Sequence, residues 1–249
     1  MKHPIFAANW KMNQGPADAL AFMRQFLAQY PRQQDRNVLV FPSALSLYAV
    51  TAALSDRPDI QVGVQNIHWA DAGAYTGENS AAIARGAGAR YVLIGHSERR
   101  HVFGETDEET GKKAAAAERA GLTSMICVGE TLAQREAGDT STVVLRQLRA
   151  ACALLTANQI AGSLVAYEPV WAIGSGKTAT PEDASVVHAA IRSELRSLTE
   201  ERGEGVPILY GGSVSKGNAV SLLAAPDVDG LLVGGASLDP DGWSAICRT

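Results

Sequence analysis

Residues 166–181 read Ala-Tyr-Glu-Pro-Val-Trp-Ala-Ile-Gly-Ser-Gly-Lys-Thr-Ala-Thr-Pro, a stretch that divides into a strand end, a loop and a helix start. Its front continues Leu164-Val165, a short apolar run of strand type that delivers Glu168 to the strand's C-terminal edge just before Pro169. Its back, Thr180-Pro181-Glu182-Asp183, offers a hydroxyl cap, proline at the first helical position and acids in the first turn. Between them lie apolar Val170, Trp171, Ala172 and Ile173, then Gly174 and Gly176, a composition that suits a lid more than a plain connector. Gly176-Lys177-Thr178 matches the tail of a nucleotide-binding P-loop, but that pattern needs glycine where Trp171 stands, so the match is set aside.

Working outward, strand-like runs begin near Ile5, Val38, Ile60, Tyr91, Thr123, Leu164, Pro207 and Gly230, with segments of helical period between most of them. The first helix is expected to bury Leu20, Met23, Leu27 and Tyr30, and the sixth Ala184, Val187, Ile191, Leu195 and Leu198. Strands separated by helices cannot form hairpins, which leaves an open doubly wound sheet or a closed barrel of parallel strands. Eight β/α units in 249 residues fit the barrel. No linker, low-complexity tract or compositional break interrupts the chain, so residues 1–249 are read as one (β/α)8 domain.

With 46% hydrophobic and 19% charged residues the chain can bury a sizeable core. A formal net charge of -4 and the lack of a lysine or arginine cluster argue against nucleic acid or an anionic membrane as partner. Cys127, Cys152 and Cys247 form no C-x-x-C pair and suggest a reducing compartment. Met1-Lys2-His3-Pro4 leads straight into a strand-like run, and no stretch approaches a signal sequence or membrane span, so the expectation is a cytoplasmic protein.

Polar residues and glycines gather just after the strands: Asn9 and Lys11, Gln65 and Asn66, His96 and Glu98, Cys127 to Glu130, Glu168, then Gly211-Gly212-Ser213 and Gly234-Gly235. In a β/α barrel these ends share one face, where active sites are built. Glu168, at a strand end beneath a partly apolar loop, is the natural general base, with desolvation by Trp171 and Ile173 expected to raise its pKa. A solvated loop acid is the plainer alternative. His96 precedes Ser97, which can start a short helix whose positive end favours a neutral imidazole able to donate to a carbonyl oxygen. A core histidine satisfied by backbone would look the same. His3, His68, His101 and His188 show no ligand spacing with it, which speaks against a metal site. Lys11 supplies a cation for an anionic substrate or a developing oxyanion, unless it is simply exposed. The two double glycines stand where barrels bind phosphate through backbone amides, tight turns being the alternative.

Taken together, Ala8-Asn9-Trp10-Lys11-Met12-Asn13, Ile94 to Arg100, Tyr167 to Gly174, Tyr210-Gly211-Gly212-Ser213 and Gly234-Gly235-Ala236-Ser237 resemble the triosephosphate isomerase family, in the same order and from end to end of the chain. The resemblance implies a cofactor-free homodimer that interconverts dihydroxyacetone phosphate and D-glyceraldehyde 3-phosphate in glycolysis and gluconeogenesis. It implies Glu168 as base, His96 as electrophile, Asn9 and Lys11 as substrate contacts, and Gly174, Ser213, Gly234 and Gly235 as amide donors to the phosphate. Glu98, Cys127 and Glu130 would support them. The third loop, whose Trp69 and Tyr75 have little partner in their own unit, would place its tip, Tyr75-Thr76-Gly77-Glu78, beside Asn9 and Lys11 of the partner subunit. Two departures stand out: Ser175 where the family commonly has threonine, and Ala81 where it often has proline. A Schiff-base aldolase, for which only Lys11 qualifies, and a silent metabolite-binding protein are the rivals from other classes.

Overall fold

The apolar runs are strands throughout: β1 Ile5–Asn9, β2 Asn37–Phe41, β3 Ile60–Val64, β4 Tyr91–Ile94, β5 Thr123–Val128, β6 Leu164–Tyr167, β7 Ile208–Tyr210 and β8 Gly230–Val233. The computed structural model describes residues 3–173, 179–200 and 202–249. Every strand pairs in parallel with the next, and β8 returns to β1 with Ile5 opposite Gly230, so the sheet closes. Closure removes both sheet edges and leaves each strand buried on two sides. That is why the strands read as near-continuous apolar runs rather than alternating ones.

Alternation is nonetheless present in where the side chains go. Ile5, Ala7, Leu39, Phe41, Leu93, Met125, Cys127, Leu164, Ala166, Leu209 and Leu232 pack together inside the barrel. Their neighbours, among them Phe6, Ala8, Val38, Val40, Val92, Ile126, Val165 and Leu231, join the larger layer under the helices. Gly63 is small because of the lumen: a Cβ there would stand 2.2 Å from the ring of Phe41, which fills the space.

The helices that matter for the site are α1 Pro16–Gln29, α2 Ser97–His101, α3 Asp107–Arg119 and α4 Pro181–Thr199. In α1 the buried stripe is Ala19, Phe22, Met23 and Phe26 with Tyr30 after it, while Leu20 and Leu27 are only half-buried. The expected face is therefore rotated, because the rings of Phe22, Phe26 and Tyr30 run together beneath Trp10 and take the inner position. In α4 the expected Ala184, Val187, Ile191 and Leu195 are buried, joined by His188 and Arg192, while the expected Leu198 is only half-buried. Thr180 and Asp183 form a reciprocal capping box with Pro181 at the first position, as the sequence implied. Among the described residues no helix is long and apolar enough to cross a membrane.

Candidate active site

The pleat decides which side chains meet, since inward positions recur every second residue. Asn9 continues the row of Ile5 and Ala7, with Lys11 just past the end of β1; Glu168 continues Leu164 and Ala166; Gly211 follows Leu209 and Gly234 follows Leu232. These five, with His96, Ile173, Gly212, Ser213 and Gly235, line a cavity of about 290 Å³ at the C-terminal mouth of the barrel.

Glu168 is 2% exposed. Its Oε2 accepts a hydrogen bond from the Ser97 amide at 2.9 Å, and its Oε1 lies 2.9 Å from His96 Nε2. His96 caps α2, and its Nδ1 accepts from the Glu98 amide at 3.3 Å. A ring whose Nδ1 is an acceptor carries its proton on Nε2, the neutral tautomer that donates to Glu168, and Asn9 Nδ2 is then a second donor beside it and not its hydrogen-bond partner. Asn9 Nδ2 stands 3.1 Å from the same Nε2, and Asn9 Oδ1 accepts from the Lys11 amide at 3.0 Å. Lys11 Nζ pairs with Glu98 Oε1 at 2.7 Å, and Glu98 Oε2 lies 3.7 Å from His96 Nδ1.

Electrostatically the two central groups are tied. Burial pushes the Glu168 carboxyl up, but the His96 imidazole and the Ser97 amide outweigh it and hold the acid below its usual range. This reverses the direction expected from the apolar loop, because the charged form is satisfied by partners that loop cannot supply. Burial likewise pushes His96 down, and the Glu168 carboxylate overcomes that, leaving the imidazole above its ordinary value. Each shift depends on the other partner.

The glycines keep the wall thin where the reactive side chains lie. A Cβ on Gly211 would stand 2.9 Å from Glu168 Cγ, and one on Gly234 would stand 3.3 Å from Lys11 Cε. Beyond Gly234 the chain enters a 3₁₀ turn, Gly235–Ser237, whose Gly235 and Ala236 line the same cavity as Lys11. Backbone N–H groups beside a lysine suit a phosphate dianion.

Beneath and beside the pair lie the supporting residues. Cys127 is buried in the lumen, its thiol pushed well up by burial and then by Glu168, which makes it a neutral packing group. Glu130 is fully buried and accepts from Tyr167 Oη at 3.1 Å and Trp171 Nε1 at 2.8 Å. Arg135 stacks over the Trp171 ring at 4.4 Å and pairs with Asp183 at 2.6 Å, linking the start of the loop to the start of α4. Gly174, Ser175 and the Gly176-Lys177-Thr178 match lie outside the described residues.

The Ser97 amide was not foreseen as a partner of Glu168, since backbone groups carry no side-chain signature; the available signal was its place at the first position of a helix after His96. Trp69 differs from expectation too. It is held within its own chain, stacked on His68 at 4.2 Å with Lys112 Nζ 5.6 Å from its ring, whereas Tyr75 packs on His68 and stays 46% exposed.

Comparison with known proteins agrees with this geometry. The family model described as triosephosphate isomerase matches residues 4–249. The chain belongs to the triosephosphate isomerase family. It is 45% identical over 247 residues to the triosephosphate isomerase of Solibacter usitatus, covering 99% of both chains. It is 48% identical to that of Moorella thermoacetica, covering 99% of this chain and 98% of the relative. The crystal structure of triosephosphate isomerase from Bartonella henselae superimposes with a TM-score of 0.88 at 39% identity, over 99% of this chain and 98% of that one. Family membership covers the five motifs and the barrel that carries them.

Proposed function

We propose that this chain interconverts dihydroxyacetone phosphate and D-glyceraldehyde 3-phosphate, and that residues 1–249 act as one barrel domain in doing so. The observation that carries the reading is the Glu168–His96 pair facing one small cavity together with Lys11 and the glycine turns. The Glu168 carboxylate takes a proton from the carbon beside the carbonyl, while His96 Nε2–H donates to the carbonyl oxygen. The electron pair of the broken C–H bond becomes the C=C bond of an enediolate, whose charge Lys11 and the Asn9 amide stabilise. The hydroxyl proton of the deprotonated carbon passes by way of His96 to the former carbonyl oxygen, return of the carbon-bound proton from Glu168 to the neighbouring carbon gives the isomer, and Glu168 and His96 end as they began. Amides of Ser213, Gly234 and Gly235 hold the phosphate, with Gly174 added by the resemblance. Glu98, Cys127 and Glu130 keep Lys11, Glu168 and Trp171 in place. The scheme requires no cofactor.

An aldolase reading is disfavoured by Lys11, whose ammonium is engaged by Glu98 at 2.7 Å, an arrangement suited to a charge and not to a nucleophilic amine. Assembly as a homodimer is part of the same proposal. Met12, Leu45, Tyr48, Tyr75, Val102 and Phe103 are exposed on the segments that follow β1, β2, β3 and β4, Leu45 and Tyr48 in helical turns, and these strands are neighbours around one side of the barrel. A run of exposed large apolar side chains on adjacent segments favours a protein partner, and the resemblance makes that partner a second copy. Action in the cytoplasm, in glycolysis and gluconeogenesis, follows from the same reading. A coupled assay on purified protein, followed in both directions, tests it: turnover that vanishes on Glu168→Gln supports the assignment, and turnover that survives it refutes the base.

A further inference from the structure

Lys11 has φ +53, a left-handed conformation that a side chain with a Cβ rarely adopts. Such a backbone persists only where neighbours over-determine it. Gln65, one residue past the end of β3, is the neighbour in question. Its Nε2 donates to Lys11 O at 2.8 Å and to Phe41 O at 2.9 Å, using both amide hydrogens on the ends of the two preceding strands. Phe41 O also accepts from the Trp10 amide at 3.1 Å, so the same carbonyl fixes the residue before Lys11. Among the described residues no other donor reaches Lys11 O. Gln65 does not line the cavity that holds Glu168; it lines an adjoining cavity of about 230 Å³ that shares Asn9, Lys11 and His96 with it.

We propose that Gln65 is a positioning residue that holds Lys11 in its left-handed conformation and, through it, orients Asn9 towards His96. The chain of contacts is continuous. The left-handed turn aims the Lys11 amide at Asn9 Oδ1, 3.0 Å away, and with that oxygen engaged Asn9 can present only its Nδ2 to His96. It also directs Lys11 Nζ to the mouth of the cavity beside Gly234. One uncharged amide therefore sets the cation and the neutral donor that the isomerase reading assigns to substrate, and the proposal rests on that reading. A side chain without donors at position 65 leaves Lys11 O without its hydrogen bond and lets the backbone relax to ordinary φ, which displaces both groups together.

The test is Gln65→Met, of similar size but with no donor, with KM, kcat and the calorimetric affinity for glycerol 3-phosphate, a probe that carries the phosphate but no carbonyl. A misplacement of about 1 Å costs on the order of a hundredfold. The expected result is kcat/KM lowered roughly tenfold to a hundredfold, mainly through KM, with the probe bound about tenfold more weakly. In a Lys11→Met background the same substitution should change probe affinity by less than about twofold, because the backbone carbonyl that Gln65 holds remains but the ammonium whose placement the probe reports is gone. Wild-type KM in Gln65→Met, an equal loss in both backgrounds, or a crystal structure of the variant with Lys11 still at positive φ would each overturn the proposal. If Gln65→Met does not fold, Gln65→Glu, whose carboxylate cannot donate, replaces it with the same expectations. An inactive wild type would overturn the isomerase reading, while the probe measurements would still decide the role of Gln65.

Discussion

Glu168→Asp isolates the reach of the base. It withdraws the carboxylate by one methylene, about 1.5 Å, and leaves its charge. The backbone cannot follow to compensate. Glu168 N donates to Val128 O at 2.8 Å, and Gly211 N donates to Tyr167 O at 2.7 Å. The Glu168 carbonyl is packed so closely on the neighbouring strand end that a Cβ on Gly129 would stand 1.8 Å from it. The shorter acid also loses the 2.9 Å contacts to His96 and Ser97, so its protonation and its aim change together. General-base catalysis contributes roughly 10²- to 10⁴-fold, and a displacement above 1 Å removes most of it, so kcat should fall by about two to four decades. That corresponds to roughly 3–5 kcal/mol of transition-state stabilisation. KM should change by less than about threefold, because in the proposed scheme the phosphate and carbonyl contacts come from His96, Lys11, Asn9 and the glycine turns. Steady-state kinetics in both directions, on protein of wild-type circular dichroism, measure this. A variant turning over within tenfold of wild type would refute the assignment of Glu168 as the base, and a large rise in KM at constant kcat would make it a binding group.

Three further outcomes follow from other parts of the molecule. Thr76→Arg, at the exposed tip of the loop after β3, should convert the proposed dimer to monomer and lower activity by at least tenfold; sedimentation showing a fully active dimer would contradict the interface. His188 is fully buried, its pKa lowered to about 4 by desolvation, with Nδ1 on Asp227 O at 2.9 Å. Because the folded value is depressed for a base, the unfolded chain binds more protons below about pH 6.5, so this contribution is present above that pH and is lost as pH falls towards 4. Guanidinium unfolding at fixed protein concentration should show His188→Gln losing roughly 3 kcal/mol less than wild type between pH 7 and pH 4, and parallel losses would contradict this. Thr180→Ala removes the cap of α4 and should lower unfolding free energy by about 1 kcal/mol, with an unchanged denaturant midpoint as the opposing result.

How far the sequence could be read depended on where each residue's partners lie. The eight strands were legible because closure buries both faces and leaves an apolar run, and their starts fall within a residue of the expected positions, Asn37 and Ile208 being the shifts. The inward row that brings Asn9, Glu168, Gly211 and Gly234 together follows from period two once the barrel is accepted, whereas Lys11, past the end of β1 at φ +53, takes its place through a left-handed turn. What failed needed contacts across the chain. The pKa direction of Glu168 ran against expectation because its decisive partners, the His96 imidazole and then the Ser97 amide, come from the segment after β4. Trp69 looked unpartnered because Lys112 and the Arg119 guanidinium on its carbonyl come from α3. The α1 stripe was misplaced because leucine spacing fits a helix face as well as the aromatic row that in fact packs inward. Gln65 was visible only as a polar residue after a strand, its two carbonyl partners lying 24 and 54 residues earlier.

The central claim is proton transfer by Glu168 at a carbon next to a carbonyl, and it can be observed at the atom concerned. Dihydroxyacetone phosphate is incubated with the enzyme in D₂O, the product is trapped as it forms, and NMR locates the label. One solvent deuterium at carbon 2 of D-glyceraldehyde 3-phosphate, formed by wild type and lost with Glu168→Gln, is the predicted result. Isomer appearing at the wild-type rate in the Glu168→Gln variant, or a borohydride-trapped adduct on Lys11 in place of exchange, would contradict the account.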